Sequence, residues 1–565
     1  MTDERRFWGA VETAPGEWAL HLWAPRHEGV HVAMGESRFA MEKRPDGVHE
    51  AVIAAEAGAE YLFDIDGTLY PDPASRRQAG DVHAPSVLTR MPTPAGWSGR
   101  PWEEAVVYEL HVGTFTDGGT FAAAQGRFAE LAALGVTVIE VMPVAQFAGG
   151  RGWGYDGVLP YAPHTAYGTP EDLAAMVRAA QDVGMSVLLD VVYNHFGPEG
   201  AYLHAIAPEF FDADRTTPWG PAIDFGRAAV RDFFLSNAAM WVADYGFDGL
   251  RIDAVHQLRD TSEPEFIVEL GQRMRALDVG RPVHLVNEDE RNLPYLIESG
   301  DFAGEWNDDF HHAVHCLLTG EDFGYYEGYA ADPLDDLVRV LADGYSVQGQ
   351  ARKGEAKRRG APSGHVAPQR FVNANQTHDQ IGNRALGERL ISLAGTDAAR
   401  IAHCVLLTAP AVPMLFMGEE IGSEAPFLFF ADFEGDLRDA VRKGRAEEFA
   451  DFAGKDVPDP FADATFAACR PFADPPPWAE DWRTLTRRLL DWRAGCVVPL
   501  LKSGRTGARV VATGARSFHA EWTFEDGMLE MVANLGAAGD GWIDRADIAI
   551  GGQGDAFAFA VKVTT

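Results

Sequence analysis

The sequence predicts an α/β fold, a (β/α)8 TIM barrel with an N-terminal β-sandwich domain and a small C-terminal all-β domain. Three observations predict it. Between residues 106 and 417, eight apolar strand-like runs alternate with amphipathic helical stretches, the grammar of a parallel barrel. On either side the pattern changes to short alternating runs cut by Gly, Pro and Asp, which suits antiparallel sheets. Within the central region the polar clusters stand at the ends of apolar strands, where a barrel keeps its reactive groups. A length of 565 residues exceeds one ordinary domain, so the expected division is 1–90, 100–485 with a short insertion after the third strand, and 490–565.

The sandwich is expected from Phe7 to Leu88, with strands near 18–23, 30–34 and 61–65, and a Pro-, Gly- and Ser-rich linker over 92–102. Barrel strands are expected at 106–112, 136–144, 186–192, 249–254, 283–288, 302–306, 370–375 and 412–417. Helices are expected between them, for example at 121–134, 170–183, 228–244, 264–277 and 397–407. A doubly wound open sheet is the main rival, but Val112-Gly113-Thr114-Phe115 after the first strand is no Gly-rich phosphate loop. Beyond Trp492 short strands return near 508–512, 517–523 and 529–533.

Composition narrows the function. With 84 acidic against 48 basic residues, a net charge of -36 opposes nucleic acid, anionic membranes and phosphorylated polymers. A neutral substrate fits better, and the acidic excess reads as a solvated surface. Cys316, Cys404, Cys469 and Cys496 lack a Cys-x-x-Cys spacing and read as reduced, mostly buried thiols. The start, Met-Thr-Asp-Glu-Arg-Arg-Phe-Trp, has no apolar signal core, and the apolar stretch at 404–417 contains Pro410 and Pro413. That stretch falls short of the ~20 residues of a membrane helix. A soluble cytoplasmic protein is therefore expected, and whether it forms a homodimer is left open.

In Gly249-Leu250-Arg251-Ile252-Asp253, Arg251 and Asp253 lie two apart on a strand and share a face. An arginine beside an aspartate favours the ionised carboxylate that a nucleophile needs. Similar polar ends occur at Asp190 to His195, at Asn287-Glu288 and at Gln376-Thr377-His378-Asp379. Convergence would assemble three carboxylates, Asp253, Glu288 and Asp379, with His195 and His378 as neutral donors. Two carboxylates flanking a bond are what glycoside hydrolysis requires, one as nucleophile and one as protonated acid. Crowded carboxylates would keep Glu288 protonated while Arg251 keeps Asp253 ionised.

These four clusters, in order, resemble the motifs of the α-amylase superfamily of glycoside hydrolases. Further segments are similar to the family that hydrolyses maltooligosyl trehalose, among them Asp72-Pro73-Ala74-Ser75-Arg76, Gly152-Trp153-Gly154-Tyr155-Asp156-Gly157 and Trp306-Asn307-Asp308-Asp309-Phe310-His311-His312. The resemblance implies retaining cleavage of the α-1,4 bond next to the terminal trehalose unit, with maltooligosyl trehalose and related α-glucans as partners. It implies Asp253 as nucleophile, Glu288 as general acid/base and Asp379 as transition-state stabiliser. Tyr155, His195, Arg251, His378, Trp153, Trp219 and His256 are the implied substrate-binding residues, with Trp219 walling the trehalose side. Two departures stand out. Asn287-Glu288-Asp289-Glu290 replaces a Leu-Glu-Asn-Asp type run and leaves Glu290 as a register rival, and Thr377 stands where asparagine is usual.

Blander readings apply elsewhere. His311, His312 and His315 lack the glutamate of a His-Glu-x-x-His site and read as structural or sugar-facing. Asp190 and Asn194 offer too few oxygens for calcium, so no cofactor and no metal are expected. Among the aromatics, Trp153 and Tyr155, beside glycines, are favoured as sugar platforms. The Gly149, Gly150 and Gly152 cluster reads as turn chemistry, and the basic run from Arg352 to Arg359 as a solvated loop. A branching or debranching enzyme, and a catalytically silent glucan-binding protein, are the alternatives.

Overall fold

The computed structural model describes residues 7–94, 96–352, 358–449 and 457–565. Residues 1–6 and most of the basic run, 353–357, lie outside them. Eight parallel strands close into a barrel in chain order: Val107–Leu110, Val138–Val141, Ser186–Val191, Gly249–Ile252, His284–Glu288, Gly304–Trp306, Phe371–Ala374 and Val412–Phe416. All eight coincide with the expected runs, trimmed at the ends where strand pairing stops. The helices Pro170–Asp182, Ala228–Ala243, Phe266–Ala276 and Thr396–Thr408 lie between strands as expected. The stretch 121–134 is broken into Phe121–Ala124, a 3-10 turn Gln125–Arg127 and Phe128–Leu134. Between the third strand and Ala228–Ala243 lies a hairpin of Phe211–Thr217 and Gly220–Ile223.

The amino-terminal region forms two antiparallel sheets, one built on Gly9–Ala14, Glu17–Trp23 and Val48–Ala54, the other on Val30–Met34 and Glu60–Ile65. Their inward residues Trp18, Leu20, Val32 and Phe63 are fully buried in one core. The carboxy-terminal five-stranded sheet begins only at Arg505. Helices Ala479–Trp492 and Val498–Ser503 run through the expected start at 490. Arg493, buried between them, donates to the carbonyl oxygens of Ala409 (2.5 Å) and Ala411 (2.7 Å), tying this join to the barrel.

The expected linker is pinned under the barrel instead. Trp97 Nε1 donates to buried Asp248 (2.7 Å), and Arg100 Nη1 donates to the Gly184 carbonyl (3.0 Å). Trp102 enters the barrel's lower core with Val107, Val138, Val286 and Met414. Apolar bulk recruits it, because an uncovered barrel end would leave those side chains in water.

Gly249 marks the tightest packing. A Cβ there would meet the His284 carbonyl oxygen at 1.7 Å, across the pairing of the fourth and fifth strands. Gly249→Ala is expected to destabilise the fold by about 3 kcal/mol, whereas Gly444→Ala, with nothing within 4 Å inside helix Gly435–Glu448, is expected to be neutral or stabilising. Denaturation midpoints of the two variants check this; equal midpoints would refute the packing account.

Candidate active site

At the carboxy-terminal ends of the strands opens a cleft of about 1030 Å³, lined by all three predicted carboxylates together with Tyr155, His195, Trp219, His256 and His378. Its floor is organised by Arg251, which is fully buried on the fourth strand. Arg251 Nη1 donates to Asp190 Oδ2 and to Asp253 Oδ1, both at 2.8 Å, and Nη2 lies 2.9 Å from Glu288 Oε2. The face of the guanidinium rests on Trp306, 4.0 Å from the ring centre. One cation therefore serves carboxylates from three adjacent strands.

The three carboxyl groups respond differently. Burial pushes Asp253 upward, but the Arg251 charge and an Asn194 Nδ2 hydrogen bond to Oδ2 (2.7 Å) outweigh it and hold the group below its usual range. For Glu288, burial dominates over Arg251, and repulsion from Asp253 and Asp379 adds to it, so its pKa is raised well above the ordinary value. Asp190 is raised to about 6 by burial against Arg251's opposing pull. Ala254, directly after Asp253, adopts a left-handed φ of 39°, a conformation that costs a non-glycine residue ~1–2 kcal/mol. That turn aims its N–H at Glu288 Oε2, 2.8 Å away.

Asp379 stands in the first turn of the short helix His378–Gly382 and is more than a third exposed. Thr377 caps this helix: its hydroxyl accepts from Asp379 N and donates to Gln380 Oε1 (2.6 Å), which also accepts from Thr377 N. The departure at Thr377 thus supplies the cap that holds Asp379. Glu290, the register rival, lies on the rim, two-thirds exposed and 3.5 Å from His256, while the fifth strand ends at Glu288.

The histidines divide. Burial lowers His195, whose Nε2 contacts the Tyr155 carbonyl (3.0 Å) and whose ring stacks on Trp219 at 4.1 Å and 7°. His378 departs from the neutral expectation. Burial opposes its charge, but Glu109, hydrogen-bonded to Nδ1, and Asp379 raise it to about 9. Glu109 sits mid-strand on the first strand, and sequence reasoning passed over it although an acid inside an apolar strand is a legible signal. Tyr155 stacks on His378 at 5.0 Å and 23° and donates to Asp190 Oδ2 (2.6 Å). It therefore presents a ring to the cleft.

Trp153 also lines the cleft but turns little of its ring towards it. Its face stacks on Phe427 (5.3 Å, 22°), its Nε1 donates to the Leu428 carbonyl (3.0 Å), and only 8% of it is exposed. His311, His312 and His315 are buried, with His315 paired to Glu321 at 2.7 Å. Asp190 and Asn194 spend oxygen and nitrogen atoms on Tyr155, Arg251 and Asp253. Among the described residues, the group at metal-ligand spacing is His519, Glu521 and Glu530 on the carboxy-terminal sheet, away from the cleft. Arg352, partly buried, is held by Asp336, the Gly328 carbonyl and the Tyr329 ring, so this end of the basic run is anchored rather than solvated.

A model of the alpha amylase catalytic domain matches residues 113–214. Malto-oligosyltrehalose trehalohydrolase of Deinococcus radiodurans is 43% identical over 79% of this chain and 76% of its own length. The Rhizobium sp. protein of the same name is 39% identical over 86% and 82%. The chain belongs to the malto-oligosyltrehalose trehalohydrolase family. A crystal structure of a Salmonella typhimurium protein, described as a presumed alpha amylase, superposes with a TM-score of 0.95 at 43% identity over 99% of both chains. Pullulanase from Bacillus acidopullulyticus, at 17% identity and a TM-score of 0.71 over 98% of this chain and 74% of its own, shares the fold. Among the described residues no helix is long and apolar enough to cross a membrane.

The buried pair His378–Glu109 makes a pH prediction. A folded value near 9 against an ordinary 6.5 means that its stabilisation is complete below about 6.5 and is lost as pH rises through about 9. Glu109→Gln is therefore expected to lower stability markedly at pH 6 and much less at pH 10, read by denaturant melts; a pH-independent loss would contradict a charged His378.

Proposed function

We propose that this chain is a retaining glycoside hydrolase that cleaves the α-1,4-glucosidic bond next to the terminal trehalose unit of maltooligosyl trehalose and releases trehalose. The single observation that carries the chemistry is Arg251 bridging, in one cleft, Asp253, held below the usual carboxylate range, and Glu288, raised well above it by burial. Retaining glycosidases need their two carboxyls close, at about 5–5.5 Å, and a shared guanidinium favours such a pair. The trehalose specificity rests on the relatives named malto-oligosyltrehalose trehalohydrolase.

In this reading an Asp253 oxygen attacks the anomeric carbon as the bond to the glycosidic oxygen breaks, and Glu288 transfers its proton to that oxygen. Trehalose departs, leaving a glycosyl ester on Asp253. Glu288, now a base, takes a proton from water, whose oxygen attacks the same carbon and frees Asp253. Asp379 binds hydroxyls of the distorted sugar, Tyr155 forms the floor beneath it, and charged His378 donates to it. Arg251 acts through the two carboxylates as a positioning residue. On the leaving-group side we place Trp219, half exposed on its hairpin, and His256. Trp153 supports Phe427 and His378 from behind. We read residues 1–90 and 490–565 as flanking domains, with the helices preceding Arg505 joining the latter to the barrel, and cytoplasm as the compartment.

Incubation with maltooligosyl trehalose and, separately, with a plain maltooligosaccharide of equal length tests the reading. Trehalose is expected from the first and little disaccharide from the second; comparable cleavage of both, or branch transfer, would sink the trehalose assignment. Asp253→Asn and Glu288→Gln are each expected to lower kcat by roughly 10²–10⁴-fold or more. The pH profile of kcat/KM should hold through neutrality, with the acid limb set by Asp253 below the usual carboxylate range and the alkaline limb set by loss of the Glu288 proton. A profile already falling at pH 6 would show that Glu288 is not the acid.

A further inference from the structure

The outer face of the carboxy-terminal sheet gathers three metal-ligand groups that the hydrolase chemistry does not use. Strands Ser517–Phe524 and Gly527–Leu535 pair antiparallel, with Glu521 directly opposite Glu530 and His519 opposite Val532. Phe518, Ala520 and Trp522 are fully buried, so strand alternation turns His519 and Glu521 to the other face. Glu530, between buried Leu529 and Met531, points the same way. One ligand atom from each of the three lies within 4.8 Å of the other two, and His519 Nε2 is 2.9 Å from Glu530 Oε1. Their side chains are 23–31% exposed, packed yet open to solvent. None of the three lines the cleft.

Like charges directly opposite on paired strands destabilise a sheet. Arg509 Nη1, 3.3 Å from Glu521 Oε2, offsets part of this, and Lys562 stands opposite Glu530 on the next strand. A row of Arg509, Glu521, Glu530 and Lys562 alone would be a charge ladder, complete without an ion. His519 is what such a ladder does not need: it lies two residues outside the row, on the same face, with its ring nitrogen against the Glu530 carboxylate. Beside it Val532 is buried with Ile543 and Ala560, and an apolar flank strengthens the attraction between a cation and its ligands. An imidazole and two carboxylates, with one corner left for water, suit an ion that takes nitrogen and oxygen at about 2.0–2.2 Å. Side-chain rotation alone would bring the three atoms that close. Calcium and magnesium want more oxygens. We propose that His519, Glu521 and Glu530 bind one Zn²⁺ ion, which clamps the two strands together and neutralises the facing carboxylates. The site is independent of the hydrolase reading.

The test is calorimetric titration of the full chain, first stripped with a chelator, with Zn²⁺. The expected result is one ion per chain, with the affinity falling at least roughly tenfold in His519→Ala and in Glu530→Gln. All three ligands face outward, so these variants keep the sheet's core. Arg509→Ala removes a rung of the ladder but no ligand, and should bind Zn²⁺ as well as wild type or better. Zn²⁺ should also raise the melting midpoint of wild type and raise it less in His519→Ala, whereas millimolar Mg²⁺ should do neither. Absence of Zn²⁺ binding overturns the proposal and leaves the charge ladder. Binding that survives His519→Ala and Glu530→Gln undiminished places the ion elsewhere and overturns it equally.

Discussion

Arg251 is the charge around which the site is organised. Buried and touching Asp190, Asp253 and Glu288, it lets three acids share a volume that could not hold them all ionised. Removing one partner of a buried ion pair costs about 3–5 kcal/mol, and here the loss of the cation would strand several carboxylates at once. The division between them follows from geometry. Asp253 has a second donor in Asn194, while among the described residues Glu288 meets the Ala254 amide and a poorly aligned edge of the guanidinium. A strained alanine turn supplies that amide, and the barrel stores the strain at the point of use.

A second charge, His378 with Glu109, underlies the opposite wall. Its ring carries Tyr155 on one face and meets the edge of Trp153, so this wall of the cleft is assembled from packed rings whose polar edges are spent on Glu109, Asp190 and the Leu428 carbonyl. Thr377 and Gln380 then fix the helix that presents Asp379. Each reactive group is thereby held by a residue that touches no substrate.

Strand order, helix placement and the three carboxylates were legible in the sequence, because burial writes itself as apolar periodicity and a barrel concentrates polarity at strand ends. What escaped depends on contacts between distant residues. Nothing local to Trp153 says that Phe427 covers its face, and nothing local to His378 says that Glu109 faces it from the first strand. The segment at 92–102 has linker composition, yet Trp97 and Trp102 find partners only once the barrel exists to receive them. Tyr325 is left between core residue and sugar platform by its sequence for a related reason: its exposure is decided by contacts of the neighbouring His315 and Glu321 with the distant Arg384.

The strap beneath the barrel bears on the order of events. Trp102 and its neighbours close the lower end of the barrel, and the described cleft lies at the opposite, carboxy-terminal ends of the strands. If, as proposed, a glycosyl ester forms on Asp253, the water that resolves it has to reach the anomeric carbon from the side that the departing disaccharide leaves. Departure of the first product is then the step that admits the second reactant. A disaccharide that lingered would shield the ester and, as an acceptor, could take the glycosyl group back.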